Sequence, residues 1–224
     1  MSARFVPVAD HAVLVEFGSV IDESTHAQVL ALDRALAEAP PPGLREVVPA
    51  YVNLLVDFDP LLTDHSAIIR AVQALLATAT AAPAKPALRM VEVCYDGDLA
   101  PDLPAVAKQT GLSEEAVIAA HLGGDYRVFL YGFAPGYAYL AGVPPALRLD
   151  RKTAPQRGVP AGSVMIAGPQ CLVSTLLMPS GWWLIGRSPT TILSPDPARP
   201  FLFDVGDRVQ FRRISRAEFE ARHG

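Results

Sequence analysis

Four clusters rich in glycine and proline lie between Tyr131 and Pro189, at residues 132–137, 159–164, 179–183 and 185–189. Glycine opens backbone conformations that other residues avoid, and proline fixes φ, so each cluster predicts a tight corner. Corners at such short intervals are typical of a β-barrel built from short strands. The aromatic and cationic residues that interleave with them also favour a second interpretation, in which the loops are shaped to hold a ligand or a partner.

Length and hydropathy limit the class of protein. With 224 residues, of which 50% are hydrophobic, the chain can form one large domain or two small ones. No apolar run reaches the roughly 18 to 20 residues that span a bilayer, and residues 1–5 lack the core of a signal peptide. We therefore expect a soluble cytoplasmic protein that does not bind a membrane.

Charge and composition argue against several kinds of site. A formal net charge of −4 gives no general attraction to nucleic acid, and the five histidines are scattered without metal-ligand spacing, so we expect neither a nucleic-acid partner nor a metal site. Cys94 and Cys171 form no CxxC pattern, which favours two buried thiols in a reducing compartment over a catalytic one.

The hydrophobic pattern predicts a small α+β domain over residues 1–82. A strand over 12–17 precedes a helix, a strand pair follows near 47–58, and a second helix begins after Asp64. Two amphipathic helices on one antiparallel sheet, in the order βαββαβ or close to it, predict a ferredoxin-like layer. Residues 83–88 read as a linker because proline and alanine dominate them.

Short β segments predict a second, mainly β domain over 89–214, and 215–224 reads as a charged, solvated tail that could form one or two helical turns. Residues 106–118 predict a helix pair in which Gly111 ends the first helix and Ser113 caps the second. The sequence pattern of this pair is similar to that of a DNA-binding helix-turn-helix. Its second helix presents Glu114 and Glu115, which would repel phosphate, so we predict that it does not bind DNA.

The motifs of the second domain resemble one bacterial family. They are GFxPGYxYL at 132–140, xRxxxPxR at 150–157, VPAGSVxIAGxQ at 159–170 and PxGWxLIGRSP at 179–189. Their order is similar to that of the family containing the B subunit of 5-oxoprolinase, allophanate hydrolase subunit 1 and the Kip inhibitor of a sporulation histidine kinase. The resemblance extends over the whole chain and implies an α+β protein with a ferredoxin-like N-terminal domain followed by a cyclophilin-like β-barrel.

The resemblance also implies a function and partners. The expected activity is that of one subunit of an ATP-dependent amidohydrolase that converts 5-oxoproline to glutamate. Such a protein acts with a homologous barrel, known as the C subunit or subunit 2, and with the A subunit, so it is expected to be inactive alone. ATP, with Mg²⁺, would be a co-substrate, although the chain has no GxxxxGK[ST] loop.

Three alternatives stay open at this point. A role in allophanate hydrolysis or urea carboxylation would need a biotin carrier or an amidase domain elsewhere. A histidine-kinase inhibitor would be a binding protein. The third alternative is an interaction barrel that has lost catalytic activity. It is suggested by four residues that replace ones typical of the family, namely Asp150, Gln156, Ser174 and Ser180.

Candidate site residues follow from chemistry and from the resemblance. We predict catalytic roles for His121, a candidate proton relay, and for Arg151, which with Arg157 could clamp an anion. The alternatives are a helix-end histidine and ordinary surface arginines. The remaining predicted residues are the substrate-binding Gln170, Gly162, Ser163, Pro135 and Gly136 and the partner-contacting Trp182 and Trp183.

Two of these predictions have a specific geometry. The backbone N–H groups of Gly162 and Ser163 could face an oxyanion, or the two residues could form an ordinary turn. Adjacent residues on a strand point to opposite sides, so one tryptophan should lie in the core and the other should reach the partner. The four glycine- and proline-rich clusters are thus predicted to form successive rims around one barrel cavity, with Arg151, His121 and Gln170 as candidate lining residues.

Overall fold

The computed structural model describes residues 3–78 and 86–223. The chain divides into two compact units, Met1–Lys85 and Pro86–Gly224. Residues 79–85, which include the end of the predicted first domain and half of the predicted linker, lie outside the described residues. The elements of the first unit are β1 (Arg4–Val8), β2 (Ala12–Glu16), α1 (Glu23–Glu38), β3 (Leu44–Pro49), β4 (Asn53–Phe58) and α2 (His65–Thr78).

The first unit is built on an antiparallel sheet with the strand order β1-β2-β4-β3. β2, α1 and β3 form a split β-α-β unit, because β4 lies between β2 and β3. The predicted order βαββαβ is wrong at one position, since the outer strand beside β2 is β1, which precedes β2 in the chain instead of following α2. The ferredoxin-like assignment stays a prediction.

Both helices of this unit begin where local chemistry predicts. The Asp22 carboxylate accepts the Thr25 N–H at 2.9 Å and so caps α1, and Asp64 accepts the N–H of Ala67 at 2.8 Å at the start of α2. Their apolar sides pack on the alternate residues of the sheet. The fully buried members of this core are Val13, Val15, Val29, Leu32, Leu36, Leu54, Val56, Phe58, Ile68 and Val72.

The second unit contains short strands, as predicted, and three α-helices within its described residues. Its elements are β5 (Leu88–Val93), α3 (Leu103–Thr110), α4 (Glu114–Leu122), β6 (Tyr126–Tyr131), β7 (Ala138–Ala141), β8 (Gln156–Val159), β9 (Ser163–Ala167), β10 (Gln170–Val173), β11 (Met178–Ser180), β12 (Trp183–Arg187), β13 (Arg208–Arg213) and α5 (Arg216–His223).

Seven of these strands form one sheet in the order β12-β9-β10-β7-β6-β13-β5. Neighbours are antiparallel except β13 and β5, which are parallel, and β8 and β11 form a separate two-stranded antiparallel sheet. The two outer strands of the sheet approach each other where Cys94 and Arg187 exchange both backbone hydrogen bonds at 2.8 Å. The sheet is therefore a nearly closed barrel, which confirms the predicted barrel and is consistent with a cyclophilin-like fold.

The two faces of the barrel sheet carry different cores. Alternation along β7 sends Ala138 and Leu140 to the interior, whereas Tyr137 and Tyr139 belong to a second cluster on the outer face. The interior is filled by apolar side chains, so it is a packed core and not a ligand cavity. The outer cluster contains Tyr137, Val159, Met165, Ala167, Leu172, Trp182 and Leu184, with Ala134, Tyr139 and Met178 packed against it.

The predicted helix pair is confirmed as α3 and α4. Gly111 adopts φ of +71° and ends α3, and the Ser113 hydroxyl accepts the Ala116 N–H at 3.2 Å to cap α4. Both glutamates predicted to repel DNA lie in the first turn of α4. That the pair does not bind DNA stays a prediction.

The C-terminal segment is more firmly attached than a solvated tail. It forms α5, a helix of two turns, and Phe219 is only 4% exposed in a small core with Cys94, Leu99 and Ile214. Arg216 donates to the Asp96 carbonyl oxygen at 3.0 Å. Burial of one aromatic residue in the last helix explains why charge composition alone was misleading here.

None of the helices in the ranges 3–78 and 86–223 has both the length and the apolar character needed to cross a bilayer.

Removal of the buried aromatic ring should detach α5. We expect Phe219→Ala to lower the free energy of unfolding by about 3 kcal/mol, because the ring lies in a closed apolar cluster. Urea denaturation measures this, with Phe133→Ala as the matched control, since Phe133 is 77% exposed. Equal losses for the two variants would contradict the docking of α5.

Candidate functional site

His121, at the last turn of α4, lies in the barrel interior. It is fully buried, its Nδ1 is 2.8 Å from the Tyr95 hydroxyl, and its Nε2 is 3.7 Å from the Cys171 Sγ. The Phe211 ring packs against it with 4.5 Å between centroids. Because burial disfavours the charged imidazolium, the pKa of His121 falls to about 3.

This environment makes His121 a neutral imidazole at physiological pH. Its neighbour Cys171 has a raised pKa for the same reason, and both cysteines are free and buried, as predicted. A catalytic role for His121 stays a prediction, and the described geometry places the ring in the core with no contact to Arg151.

Arg151, which we predicted to be catalytic, lies on the loop 148–155. Hydrogen bonds to the backbone of this loop hold it against the barrel. The Asp150 carbonyl oxygen accepts the indole N–H of Trp183 at 2.7 Å, and the Lys152 N–H donates to the Gly181 carbonyl oxygen at 2.8 Å. These contacts join the loop to the start of β12, so the segment that carries Arg151 has a defined path.

Lys152, which sequence reasoning did not single out, anchors the same loop through its side chain. Its ammonium donates to the Asp102 carboxylate at 2.7 Å and to the Gln156 amide oxygen at 3.1 Å. The same carboxylate accepts the Leu184 N–H at 2.8 Å, and both charged side chains are mostly buried. The ammonium also lies 5.8 Å from the Trp183 ring centroid. This charge is therefore already neutralised inside the protein.

Arg151 is different, because no carboxylate pairs with it among the described residues. Its guanidinium lies over the Trp182 ring, 5.7 Å from the centroid, which is a cation–π contact. Trp182 in turn meets the Tyr139 ring edge to face at 5.9 Å. An exposed arginine on an aromatic platform has all its N–H donors available to a ligand.

These contacts define an aromatic–arginine cluster on the outer face of the barrel, made of Tyr137, Tyr139, Arg151 and Trp182. Tyr137 is 2% exposed, and its hydroxyl is buried without a hydrogen-bond partner in the described part of the chain. Burial raises the pKa of Tyr137 to about 12. Burial also raises the pKa of Tyr139, and the nearby Arg151 opposes that shift.

Beside this cluster, the loop 148–155 borders an open cleft of about 680 Å³, which we call the loop cleft. Its walls are mainly polar and cationic, and Trp183 supplies an aromatic surface. The lining residues are Gln109, Arg148, Leu149, Asp150, Arg151, Lys152, Thr153, Ala154 and Trp183.

Gly162 and Ser163 form a turn whose N–H groups are used within the protein. The Gly162 N–H donates to the Ser174 carbonyl oxygen at 2.6 Å, and the Ser163 N–H donates to the Ser174 hydroxyl at 2.8 Å. The Ser174 hydroxyl then donates to the Pro160 carbonyl oxygen at 2.8 Å. The geometry thus favours the turn interpretation over an oxyanion hole at these two N–H groups.

Pro135 and Gly136 lie near this turn. The Thr175 hydroxyl donates to the Pro135 carbonyl oxygen at 2.6 Å, and Gly136 has φ of +73° and packs against Leu193. A second opening, which we call the hydroxyl cleft, lies beside the Gly162 turn. Its lining residues are Ala161, Gly162, Ser174, Thr175, Ser188, Pro189, Thr190, Thr191, Ile192, Leu193 and Arg222.

The two clefts lie at opposite ends of β9. Ser163 begins this strand beside the hydroxyl cleft, whereas Ala167 ends it near the loop cleft, where Gly168 donates to the Leu149 carbonyl oxygen at 2.7 Å. Five residues of strand span roughly 13 Å. The prediction of one shared cavity is therefore wrong, because the barrel interior between these ends is packed.

The other predicted residues are dispersed. Gln170 starts β10, half-buried and paired with Ala167, and Arg157 is exposed on β8. Trp182 packs in the outer cluster, while Trp183 packs against the interior core, so the two point to opposite sides as predicted. Substrate contacts of Gln170 and Arg157 and partner contacts of both tryptophans stay predictions.

Sequence reasoning missed Tyr137, Tyr139, Asp102 and Lys152. The two tyrosines stand inside the quoted GFxPGYxYL motif, and their spacing of two places both on one face of a strand, which is a signal that was present. The pairing of Asp102 with Lys152 joins residues 50 positions apart, so no local pattern could have indicated it.

Across residues 3–78 and 86–223, no group of three histidine, cysteine, aspartate or glutamate side chains could hold a metal ion.

The comparisons place the chain in a family. The model for the carboxyltransferase domain, subdomain C and D, matches residues 3–203, and the chain belongs to this family. Proteins named as the B subunit of 5-oxoprolinase, from Bacillus subtilis and Escherichia coli, are 37% and 34% identical to it. Those matches span 96% and 93% of this chain and 94% and 95% of the relatives. The predicted family is confirmed.

Solved structures agree with this placement. The crystal structure of TTHA0988 is 40% identical with a TM-score of 0.80, and the match covers 92% of this chain and 40% of that longer chain. The urea amidolyase of Kluyveromyces lactis matches with a TM-score of 0.81 over 98% of this chain and 15% of that chain. At 17% identity, the latter shows the fold alone.

The buried imidazole should make stability depend on pH. Because the pKa of His121 is about 3 in the folded state and near 6.5 when unfolded, the unfolded chain binds more protons between these values. The stability that the neutral ring contributes is fully present above about pH 6.5 and is lost as the pH falls. Between pH 7 and pH 5 we expect His121 to account for a loss of about 2 kcal/mol.

Urea denaturation of the wild type and of His121→Gln at both pH values measures this effect. The variant should lose less stability on acidification by that amount, whatever its stability at pH 7. Parallel losses in the two proteins would show that His121 is not buried as a neutral ring.

Replacing Gly162 and Gly168 separately by alanine should test how closely the turn at Gly162 approaches the Ser188 backbone. A Cβ there would lie 2.4 Å from the Ser188 carbonyl oxygen, and φ is +81°. We expect Gly162→Ala to cost more than about 2 kcal/mol of unfolding free energy. Gly168→Ala is the matched control, since Gly168 has φ of +52° with open space around it, and it should cost only about 1 kcal/mol. Similar losses in thermal or urea unfolding would contradict the close approach.

Proposed function

We propose that this chain is the B subunit of a heteromeric 5-oxoprolinase, which hydrolyses 5-oxoproline to glutamate at the expense of ATP. The observation that carries the proposal is the similarity to two proteins named as the B subunit of 5-oxoprolinase, at 34% and 37% identity over nearly the whole chain. Similarity over both compact units supports a shared role better than similarity over the barrel alone would.

The proposal includes partners and a location. The chain acts with a homologous barrel, the C subunit or subunit 2, and with the A subunit, and it is inactive alone. Trp183 is the better candidate for a partner contact, because it is half-buried at the loop cleft whereas Trp182 is covered. We place the assembly in the cytoplasm, where two free thiols such as Cys94 and Cys171 stay reduced.

Within this function, Arg151 binds the carboxylate of the substrate. A guanidinium stays protonated at neutral pH, so it contributes charge and paired N–H donors and does not act as a base. Its position over Trp182 orients the guanidinium plane without neutralising it. The Asp102–Lys152 pair supports the loop that carries it.

ATP and Mg²⁺ are co-substrates in the proposed reaction, and the described residues do not fit a site for them. The chain has no GxxxxGK[ST] loop, and the described residues contain no group of three histidine, cysteine, aspartate or glutamate side chains that could hold a metal ion. We therefore assign the nucleotide to the complete assembly and derive no step through it.

Reconstitution tests the proposed function. We expect this chain, combined with its A and C partners, to release glutamate from 5-oxoproline in an ATP-dependent reaction that none of the three proteins supports alone. Arg151→Ala should lower kcat/KM on the order of 100-fold, because a charge-assisted contact is lost. Arg70→Ala, on the exposed side of α2, is the control and should retain activity. A folded, complete assembly without glutamate release would overturn the assignment.

A further inference from the structure

The aromatic–arginine cluster contains three groups whose hydrogen-bonding capacity is unused. In the described part of the chain, the Tyr137 hydroxyl is buried and unpaired, and neither the Tyr139 hydroxyl nor the Arg151 guanidinium has a hydrogen-bond partner. Burying an unpaired polar group costs free energy, so buried hydroxyls normally have a partner. Three unused donors within one cluster point to a bound ligand.

The strand geometry brings these groups together. Tyr137 and Tyr139 are two residues apart and face outward, as shown by Ala138 and Leu140, which lie in the interior core. Tyr139 touches Trp182, and Arg151 lies over the same indole ring. The Trp182 ring is therefore the common surface that holds the arginine beside the tyrosines.

The charges in the neighbourhood select the ligand. Arg151 supplies a positive charge that no carboxylate pairs with among the described residues, whereas the adjacent Lys152 is neutralised by Asp102 at 2.7 Å. Arg148 and Asp150, which line the loop cleft with Arg151, carry opposite charges and add no net charge. One positive charge matches a monoanion, whereas a phosphate dianion would retain an uncompensated negative charge at a partly buried site. Raised pKa values keep both tyrosine hydroxyls protonated at neutral pH, so they act as donors.

We propose that the aromatic–arginine cluster binds a small monocarboxylate, with Arg151 and Tyr139 donating to the carboxylate oxygens and the Tyr137 hydroxyl gaining its missing partner on binding. A planar carboxylate suits the fork of the guanidinium, and the aromatic rings suit an apolar ring attached to it. The inference deepens the proposed function and rests on it for the identity of the ligand, 5-oxoproline.

Three phenylalanine variants test the proposal. Tyr139→Phe and Tyr137→Phe each remove one hydroxyl from the cluster. Tyr126→Phe is the matched control, because Tyr126 also has a buried, unpaired hydroxyl but lies in the barrel interior. Thermal unfolding should give all three at least the stability of the wild type, since none loses a hydrogen bond. Changes in binding then report on the ligand and not on folding.

Two measurements test the carboxylate site separately from the proposed enzymatic function. The first is the KM for 5-oxoproline of the reconstituted assembly. The second is tryptophan fluorescence of the full chain titrated with 5-oxoproline, or with 2-pyrrolidinone, which has the same lactam ring without the carboxylate. We expect Tyr139→Phe to raise KM and Kd about tenfold and Tyr137→Phe severalfold. Tyr126→Phe should leave both within twofold, and 2-pyrrolidinone should not bind the wild type.

The outcomes are distinct. A wild-type assembly without glutamate release overturns the proposed function, and the titration of the chain then decides the carboxylate site by itself. An active assembly in which Tyr139→Phe and Tyr137→Phe behave like Tyr126→Phe overturns the site alone. Equal binding of 2-pyrrolidinone, or absence of saturable binding by both the chain and the assembly, also overturns it.

Discussion

The pairing of Cys94 with Arg187 across the barrel seam is the interaction on which the second unit depends. The two residues exchange backbone hydrogen bonds of 2.8 Å and join the strands at the ends of the seven-stranded sheet. The approach requires Gly186, because a Cβ there would lie 2.6 Å from the Val93 side chain. Closure divides the sheet into an interior filled by apolar groups and an outer face, and so determines where polar chemistry can lie.

This division accounts for the distribution of the candidate residues. His121 and Cys171 are on the inside, where burial keeps both neutral. Arg151 and Trp182 are on the outside, where the guanidinium retains its charge and its free donors. Groups that titrate in water become packing elements in the interior, whereas the outer face keeps a charge that can recognise an anion.

Local patterns were sufficient for much of the fold. Apolar periodicity indicated the helices of the first unit, Ser113 and Gly111 indicated the α3–α4 pair, and glycine and proline clusters indicated barrel corners. The strand β1 was missed because an outer strand lacks the strong alternation of a buried one. The docking of α5 was missed because a single ring, Phe219, provides it.

The sequence by itself determined the family, the barrel and the positions of its corners, because these follow from dihedral preferences and from motifs contiguous in the chain. Only the tertiary structure decided which groups share a site. Lys152 meets Asp102 across 50 residues, Arg151 meets the Trp182 ring, and the two clefts lie at opposite ends of β9. Such contacts depend on strand register and barrel closure, which join segments far apart in sequence and leave no local signature.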